Sequence, residues 1–284
     1  MEVQNILVAT DFSNNAYCAL FYATKLLESK KCVFYLLNTY SELTPLKGKL
    51  LPGFGGKKML QQLEAQSKER LAKISHKIIL DNENPKHTFE TISEKGELVK
   101  VVNKKLGELD IDLVVMGNKG LTEAADIFFG SNTIQTVKHI TKCPVLAIPG
   151  EKDFNAPKEI AFVTDFKKGS TKETIAPLLY MASLSETLVR VMHITEKKIL
   201  NKEQESQRKL LEINLKGVKH SFHWIREFSD KALVIDAFLK EFKIDMFAMV
   251  HHKRNFFEKL IREPVIKDVS MYSDIPFLIL PTKD

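Results

Sequence analysis

The chain has 284 residues, of which 44% are hydrophobic and 27% are charged. This length and balance are typical of a globular protein with two cores of average size. The formal net charge is +6, and Lys plus Arg exceed Asp plus Glu by 19 to 16 in residues 1–150 and by 23 to 20 in residues 151–284. An even spread without a basic segment does not favour nucleic acid as a partner.

The cysteines and the apolar segments bear on the cellular compartment. Cys18, Cys32 and Cys143 are widely spaced and form no C-x-x-C pair, which argues against a disulfide framework or a zinc site. The N-terminus lacks the basic and apolar regions of a signal peptide. No apolar run approaches the roughly 20 residues that a membrane span requires. We therefore expect a cytoplasmic protein without a membrane partner.

Apolar runs alternate with helical patterns through the first 150 residues. The predicted strands are 5–9, 32–38, 87–93, 112–116 and 144–148, and the predicted helices are 14–29, 57–79, 97–107 and 131–141. A loop rich in Pro and Gly, 41–56, follows the second strand. Strands that alternate with helices predict right-handed βαβ units and a parallel sheet with helices on both faces.

The same plan occurs twice along the chain. The sequence ILVATDFS at 6–13 returns as IAFVTDFK at 160–167, and CPVLAIP at 143–149 parallels IPFLILP at 275–281. Self-similarity of this length predicts two copies of one domain, with bounds 1–150 and 156–284. The predicted strands of the second copy are 160–163, 188–193, 218–226, 245–249 and 276–280.

A glycine-rich stretch follows the predicted strand 112–116. Gly117, Gly120 and Gly130 precede Ser131 at the start of a predicted helix. Glycines allow the backbone to approach a phosphate closely, and a helix N-terminus offers amides and a partial positive charge. The order strand, glycine loop, helix therefore predicts an anion site, with a nucleotide as its ligand. The alternative is an ordinary βα turn in which the glycines only provide room.

These residues fit the motif G-x2-G-x9-G-(S/T), and with the repeated Thr-Asp-Phe and the closing CPVLAIP the chain resembles the universal stress protein family in its tandem form. The resemblance implies two doubly wound α/β domains, each with a five-stranded parallel sheet of order 3-2-1-4-5, the adenine nucleotide alpha hydrolase-like fold. Strands 1 and 4 are then neighbours at a topological switch point, where open α/β sheets bind ligands.

The resemblance also implies that ATP is the ligand of the first copy, with Mg2+ held through the phosphates. Implied contacts are with the adenosine portion at Thr10 and Asp11, with the adenine edge at Thr39, and with the phosphates at Gly117, Lys119, Gly120, Gly130, Ser131, Asn132 and Thr133. The alternative for Asp11 is a turn or helix-capping aspartate.

The second copy departs from the motif. Val250, Lys253, Glu263 and Pro264 stand at the positions of Gly117, Gly120, Gly130 and Ser131. Valine prevents close approach of a phosphate, glutamate repels it, and proline has no amide to donate. We therefore expect one nucleotide per chain.

The sequence favours a regulatory protein over an enzyme, because no catalytic triad or paired carboxylates can be defended from spacing. Nucleotide binding would order residues 117–130, together with the 41–56 loop. This would change a surface that a partner protein recognises. The alternatives are a slow ATPase or adenylyl-transferring enzyme and an interaction module without a ligand. The last strand of each copy is expected at a sheet edge, so we predict that the two edges pair as an intrachain pseudo-dimer. A homodimer of whole chains is compatible with this arrangement but not required by it.

Overall fold

The computed structural model describes residues 3–41, 56–118, 130–150, 154–195, 199–226, 231–251 and 275–282. Within these ranges the elements follow in the order β1 (Gln4–Ala9), α1 (Asn14–Leu26), β2 (Cys32–Tyr40), α2 (Gly56–Asn82), β3 (His87–Lys95), α3 (Leu98–Glu108), β4 (Leu113–Gly117), α4 (Ser131–His139), β5 (Val145–Ile148), β6 (Glu159–Val163), α5 (Lys172–Leu184), β7 (Leu188–Thr195), α6 (Lys202–Asn214), β8 (His220–Arg226), α7 (Lys231–Glu241), β9 (Met246–Val250) and β10 (Phe277–Leu280).

All ten of these strands form one sheet of order β3-β2-β1-β4-β5-β10-β9-β6-β7-β8. The first five strands are parallel and have the order 3-2-1-4-5. The strands of the second repeat have the same order, read from the opposite end of the sheet. The predicted fold class is therefore confirmed. The bounds 1–150 and 156–284 stay a prediction.

The two repeats join at β5 and β10, which pair antiparallel. Leu146 lies opposite Leu278, and Ala147 lies opposite Phe277. All four side chains are buried. Pairing removes two apolar sheet edges that would otherwise be exposed, as the predicted pseudo-dimer requires.

Helices cover both faces of the sheet. One buried cluster includes Leu20 of α1, Leu71 of α2 and Leu178 of α5. The other includes Val102 of α3 and Phe238 of α7. Since α1 and α2 lie on the opposite face from α3, the chain changes face between β1 and β4. This is the predicted switch point.

Some element ends differ from those predicted. Helix α1 ends at Leu26 rather than at residue 29, and α2 continues to Asn82, where Glu83 takes a positive φ of 45°. Strand β2 continues to Tyr40, because its pairing with β3 extends to Tyr40 and Lys95. Local periodicity does not report such pairing, which depends on the neighbouring strand.

In the described parts of the chain, no helix combines the length and apolar character needed to cross a membrane.

Candidate functional site

A tight turn connects β1 to α1. The Phe12 amide donates to Thr10 Oγ1 (3.0 Å), and the Ser13 amide donates to Asp11 Oδ1 (2.9 Å). Phe12 has a φ of 66°, a conformation that a bulky residue rarely adopts. Ser13 then caps α1 by accepting a hydrogen bond from the Ala16 amide (3.1 Å). Thr10 and Asp11 therefore stabilise the turn that starts the helix.

The second repeat contains the same turn. The Phe166 amide donates to Thr164 Oγ1 (3.0 Å), the Lys167 amide donates to Asp165 Oδ1 (2.9 Å), and the φ of Phe166 is 53°. The Thr-Asp-Phe motif is thus sufficiently explained by turn formation in both repeats. A ligand role for Asp11 stays a prediction.

Polar side chains connect the carboxyl ends of β1, β2 and β3 to α2. Asn38 Nδ2 donates to the Thr10 carbonyl (2.7 Å), and its Oδ1 accepts from Ser67 Oγ (2.8 Å). Ser93 Oγ donates to Ser67 Oγ (2.7 Å). Sequence reasoning missed these residues, although an asparagine that ends an apolar strand was a visible signal. Their hydrogen bonds join the carboxyl ends of these strands to α2.

Thr39 was predicted to lie just past the second strand, but it lies inside β2, opposite Glu94 of β3. The Leu37 carbonyl accepts from the Thr10 amide (2.9 Å), and the Tyr40 carbonyl accepts from the Gly96 amide (2.9 Å). Alternation along the strand therefore directs the N–H and C=O of Thr39 toward the β1 side. The register of β1 ends at Ala9 and Leu37, so these backbone groups lie beyond the β1–β2 ladder.

Gly117 ends β4 and lies against the first turn of α1. A Cβ at this position would lie 3.2 Å from the backbone C and O of Asn15 and 3.3 Å from the Ala16 nitrogen. The absence of a side chain therefore has an intramolecular reason, namely the close approach of α1, independent of any ligand.

Asn118 and Gly130, the described residues on either side of 119–129, are hydrogen-bonded to each other, and this junction is called the neck. The Gly130 amide donates to the Asn118 carbonyl (2.6 Å), and Thr133 Oγ1 donates to the Gly117 carbonyl (2.9 Å). The Asn118 amide donates in turn to the Ile148 carbonyl of β5 (2.8 Å). The start of α4 is therefore joined directly to the end of β4.

Asn118 was missed by sequence reasoning, because it falls between the glycines of the motif. Its exposure is only 3%. Its Oδ1 is buried without a hydrogen-bond partner among the described residues.

Helix α4 starts at Ser131 without a side-chain cap, since Gly130 occupies the N-cap position. Helix α3 also starts without a side-chain cap, whereas α1, α5 and α6 have caps from Ser13, Thr171 and Asn201. Ser131 and Asn132 are exposed, and Thr133 is buried. An α4 start without such a cap keeps the partial positive charge of its amides at the carboxyl edge of the sheet.

The structure brings eight of the ten predicted residues to this edge. Thr10 and Asp11 follow β1, Thr39 lies in β2, and Gly117 ends β4, with Gly130 and the α4 start beside it. Lys119 and Gly120 lie outside the described residues, as does the 42–55 part of the Pro/Gly-rich loop.

The corresponding edge of the second repeat has a different shape. Val250 ends β9, and a Cβ on Gly169 would lie 2.9 Å from its Cγ2. Helix α5 has its N-cap at Thr171, seven residues after Thr164, whereas Ser13 lies only three residues after Thr10. The longer connection contacts the Val250 side chain at Gly169.

Side chains of α6 hold that connection in place. Gln204 Nε2 donates to the Asp165 carbonyl (2.9 Å), and Gln207 Oε1 accepts from the Ser170 amide (3.3 Å). Asn214 Nδ2 donates to the Ser170 carbonyl (2.8 Å). The other three departures from the motif, Lys253, Glu263 and Pro264, lie outside the described residues.

Fold and site together define a doubly wound α/β protein made of two repeats, with a helix start at the switch point of the first. The family model described as the universal stress protein family matches residues 2–149. This match spans more than half of the chain, which therefore belongs to the universal stress protein family. No curated protein matches the chain.

Solved structures share the architecture over the whole length. A universal stress protein from Archaeoglobus fulgidus DSM 4304 is 17% identical, with a TM-score of 0.71 over 99% of this chain and 97% of that one. A putative universal stress protein from Pseudomonas aeruginosa UCBPP-PA14 is 10% identical, with a TM-score of 0.56 over 98% and 93%. The cytoplasmic domain of a prokaryotic cation chloride cotransporter is 8% identical, with a TM-score of 0.50 over 99% and 96%. At these identities the similarity shows the fold alone.

Proposed function

We propose that this chain is a cytoplasmic regulatory protein of the stress response that binds one adenine nucleotide, ATP, in its first repeat. The observation that carries the proposal is the neck between Asn118 and Gly130, where the α4 start without a side-chain cap is joined to the end of β4 (2.6 Å). Amides at a helix N-terminus beside a switch point are suited to phosphates.

The remaining groups at this edge suit the other parts of a nucleotide. The backbone groups of Thr39 lie on the β1 side of β2 and offer a donor and an acceptor to a base edge. The buried Oδ1 of Asn118 requires a donor. Mg2+ would be held through the phosphates.

The second repeat supports the expected stoichiometry of one. Val250 replaces the glycine that ends β4, and the connection from β6 to α5 is hydrogen-bonded to α6 through Gln204 and Asn214. A phosphate in this repeat would have to displace the Val250 side chain. Calorimetry with ATP should therefore give a single site per chain, and two equivalent sites would contradict the proposal.

The proposal concerns binding and does not include catalysis. The nucleotide acts by stabilising one arrangement of the segment between Asn118 and Gly130. A partner protein recognises the surface that this arrangement forms. Steady-state phosphate release above background, abolished by a change at Gly130, would instead indicate an ATPase.

A single charge change at the start of α4 tests the site without disturbing the core. Asn132→Asp places a negative charge on an exposed first-turn residue. This position favours helix stability but repels phosphate, so we expect ATP affinity to fall about tenfold or more while stability is retained. Gln135→Glu makes the same charge change at an exposed residue one turn later and should leave affinity nearly unchanged.

Both titrations use the full chain and isothermal calorimetry, together with mass spectrometry of small molecules released from the purified protein. Absence of adenine nucleotide in both measurements would overturn the proposal. Equal ATP affinity of Asn132→Asp and Gln135→Glu would place the nucleotide elsewhere.

A further inference from the structure

Strand β8 forms one end of the ten-stranded sheet. Its inner side pairs with β7 over seven residues, and no strand in the described part of the chain pairs with its outer side. The Lys219 carbonyl accepts from the Val189 amide of β7 (2.9 Å). Alternation then directs the N–H and C=O groups of His220, Phe222 and Trp224 outward.

An aromatic residue lies beside these outward backbone groups. Trp224 is 50% exposed, and its ring centroid lies 5.7 Å from that of Phe166 and 5.3 Å from that of His193. Both neighbours are buried, so the indole is supported on one side and accessible on the other. Side chains of an added strand would find a preformed apolar surface there.

The edge strand at the opposite end of the sheet, β3, carries charged residues that disfavour pairing with another chain. They are Glu90, Glu94 and Lys95. Within β8 the only Lys, Arg, Asp or Glu is Arg226, at its last position. The two edges therefore differ, although they occupy equivalent places in the two repeats.

Charge around β8 indicates the kind of strand that would fit. Residues 215–226 contain Lys216, Lys219 and Arg226 but no Asp or Glu, and Glu227 is the first acidic residue that follows. Lys219 and Arg226 are exposed at the two ends of the edge. An identical antiparallel β8 from a second copy would bring these positive charges together, whereas an acidic strand would neutralise them.

We propose that the outer edge of β8 binds an extended acidic segment of a partner protein by strand addition. The outward backbone groups of His220, Phe222 and Trp224 form the hydrogen bonds, and one face of the added strand packs on the indole. Lys219 alternates onto the face of β8 opposite to the indole and contacts the acidic side chains of the added strand there, and Arg226 adds positive charge at the other end of the edge, on the indole face. This surface is independent of the nucleotide site in the first repeat.

The chain has a single tryptophan, so Trp224 reports on this edge without a label. The probe is a blocked seven-residue peptide of alternating Val and Glu, titrated into the full chain while acrylamide quenching is measured. Since half of the indole is exposed, bound peptide should lower the quenching constant about twofold, saturably. The same peptide with Lys in place of Glu, or with a central Pro, should have no such effect.

Charge reversal keeps the test informative whatever the affinity of the first peptide. The double variant Lys219→Glu and Arg226→Glu should lose protection by the Glu peptide and gain protection by the Lys peptide. Lys95→Glu is the matched control, because Lys95 ends β3 as Arg226 ends β8, and it should behave as the parent chain does.

Three results would overturn the proposal. One is the lack of protection by either peptide in the parent chain and the double variant. Another is equal protection by the Glu and Lys peptides in the parent. The last is protection that appears on raising the concentration of the chain alone, with a dimer in sedimentation velocity, which would identify a second copy as the occupant.

Discussion

Tyr22 and Tyr180 occupy the same position in the two repeats, and each contacts the other half of the chain. Each is the ninth residue of a thirteen-residue helix, α1 or α5. The Tyr180 hydroxyl donates to Gln4 Oε1 at the start of β1. The Tyr22 ring packs edge-on against Phe154, just before β6 (centroids 5.0 Å apart).

The surroundings of the two rings are also related by the repeat. Burial raises the pKa of both hydroxyls, that of Tyr180 to about 12, and the negative charge of an aspartate adds to the rise. The aspartate is Asp112 for Tyr180 and Asp245 for Tyr22. These two residues stand at equivalent places before β4 and β9, and each accepts a backbone amide from the strand beside it. The two tyrosines therefore occupy equivalent positions beside equivalent aspartates, although their direct partners, Gln4 and Phe154, differ.

Removing the Tyr180 hydroxyl should weaken the contact between the repeats. Tyr180→Phe should lower the free energy of unfolding by about 0.5–1.5 kcal/mol, since one hydrogen bond to Gln4 is lost. Urea denaturation of this variant, of Gln4→Ala and of the double variant measures the coupling between the two side chains. Strict additivity of the two single changes would show that the hydrogen bond contributes nothing.

A charge at the junction of β5 and β10 should destabilise the whole chain. Leu278 is fully buried opposite Leu146, so Leu278→Asp should cost about 3 kcal/mol or more through an unpaired buried charge. Ile213→Asp is the control, because that side chain is 57% exposed on α6. Equal urea midpoints for the two variants would contradict the packing described for this junction.

Gly117 and Gly107 should respond oppositely to the same substitution. Gly117→Ala introduces a Cβ about 3.2 Å from the Asn15 backbone and should cost about 1–3 kcal/mol. Gly107 lies in α3 with nothing within 4 Å of such a Cβ, so Gly107→Ala should stabilise by about 0.5–1 kcal/mol. Thermal unfolding without nucleotide measures both. A neutral Gly117→Ala would mean that α1 moves aside easily, leaving ligand approach as the reason for the glycine.

Stability should fall as the pH is lowered below the ordinary histidine range. Burial lowers the pKa of His87 from 6.5. Its Nε2 donates to the Leu27 carbonyl (3.1 Å), and its Nδ1 accepts from Asn82 Nδ2 (2.9 Å). Below about pH 6.5 the unfolded chain binds a proton that the folded chain does not, so the contribution is complete above that pH and is lost below it. Burial lowers the pKa of His223 in the same direction.

Urea denaturation at about pH 7.5 and about pH 5.5 measures this effect. His87→Gln should lose part of the difference between the two pH values that the parent shows. His76→Gln, at an exposed residue of α2, should keep it. An unchanged difference in His87→Gln would show that His87 titrates alike in both states.

The sequence predicted the alternation of strands and helices and the two repeats, because side-chain periodicity and the duplicated Thr-Asp-Phe turn are local properties. The family motif likewise predicted that Gly117 and Gly130 lie at the carboxyl edge of the sheet. Strand ends were less accurate: β2 extends past Thr39 to Tyr40, since its length depends on hydrogen bonds to β3, 55 residues further along the chain for Tyr40 and Lys95.

Only the tertiary structure determined the contacts between segments that are far apart in the chain. These include the approach of Asn15 to Gly117, the hydrogen bond between Gly130 and Asn118, and the contacts of Tyr22 with Phe154 and of Tyr180 with Gln4. Such contacts follow from how helices pack on a common sheet, and side-chain periodicity along one segment carries no information about which distant segment will lie against it.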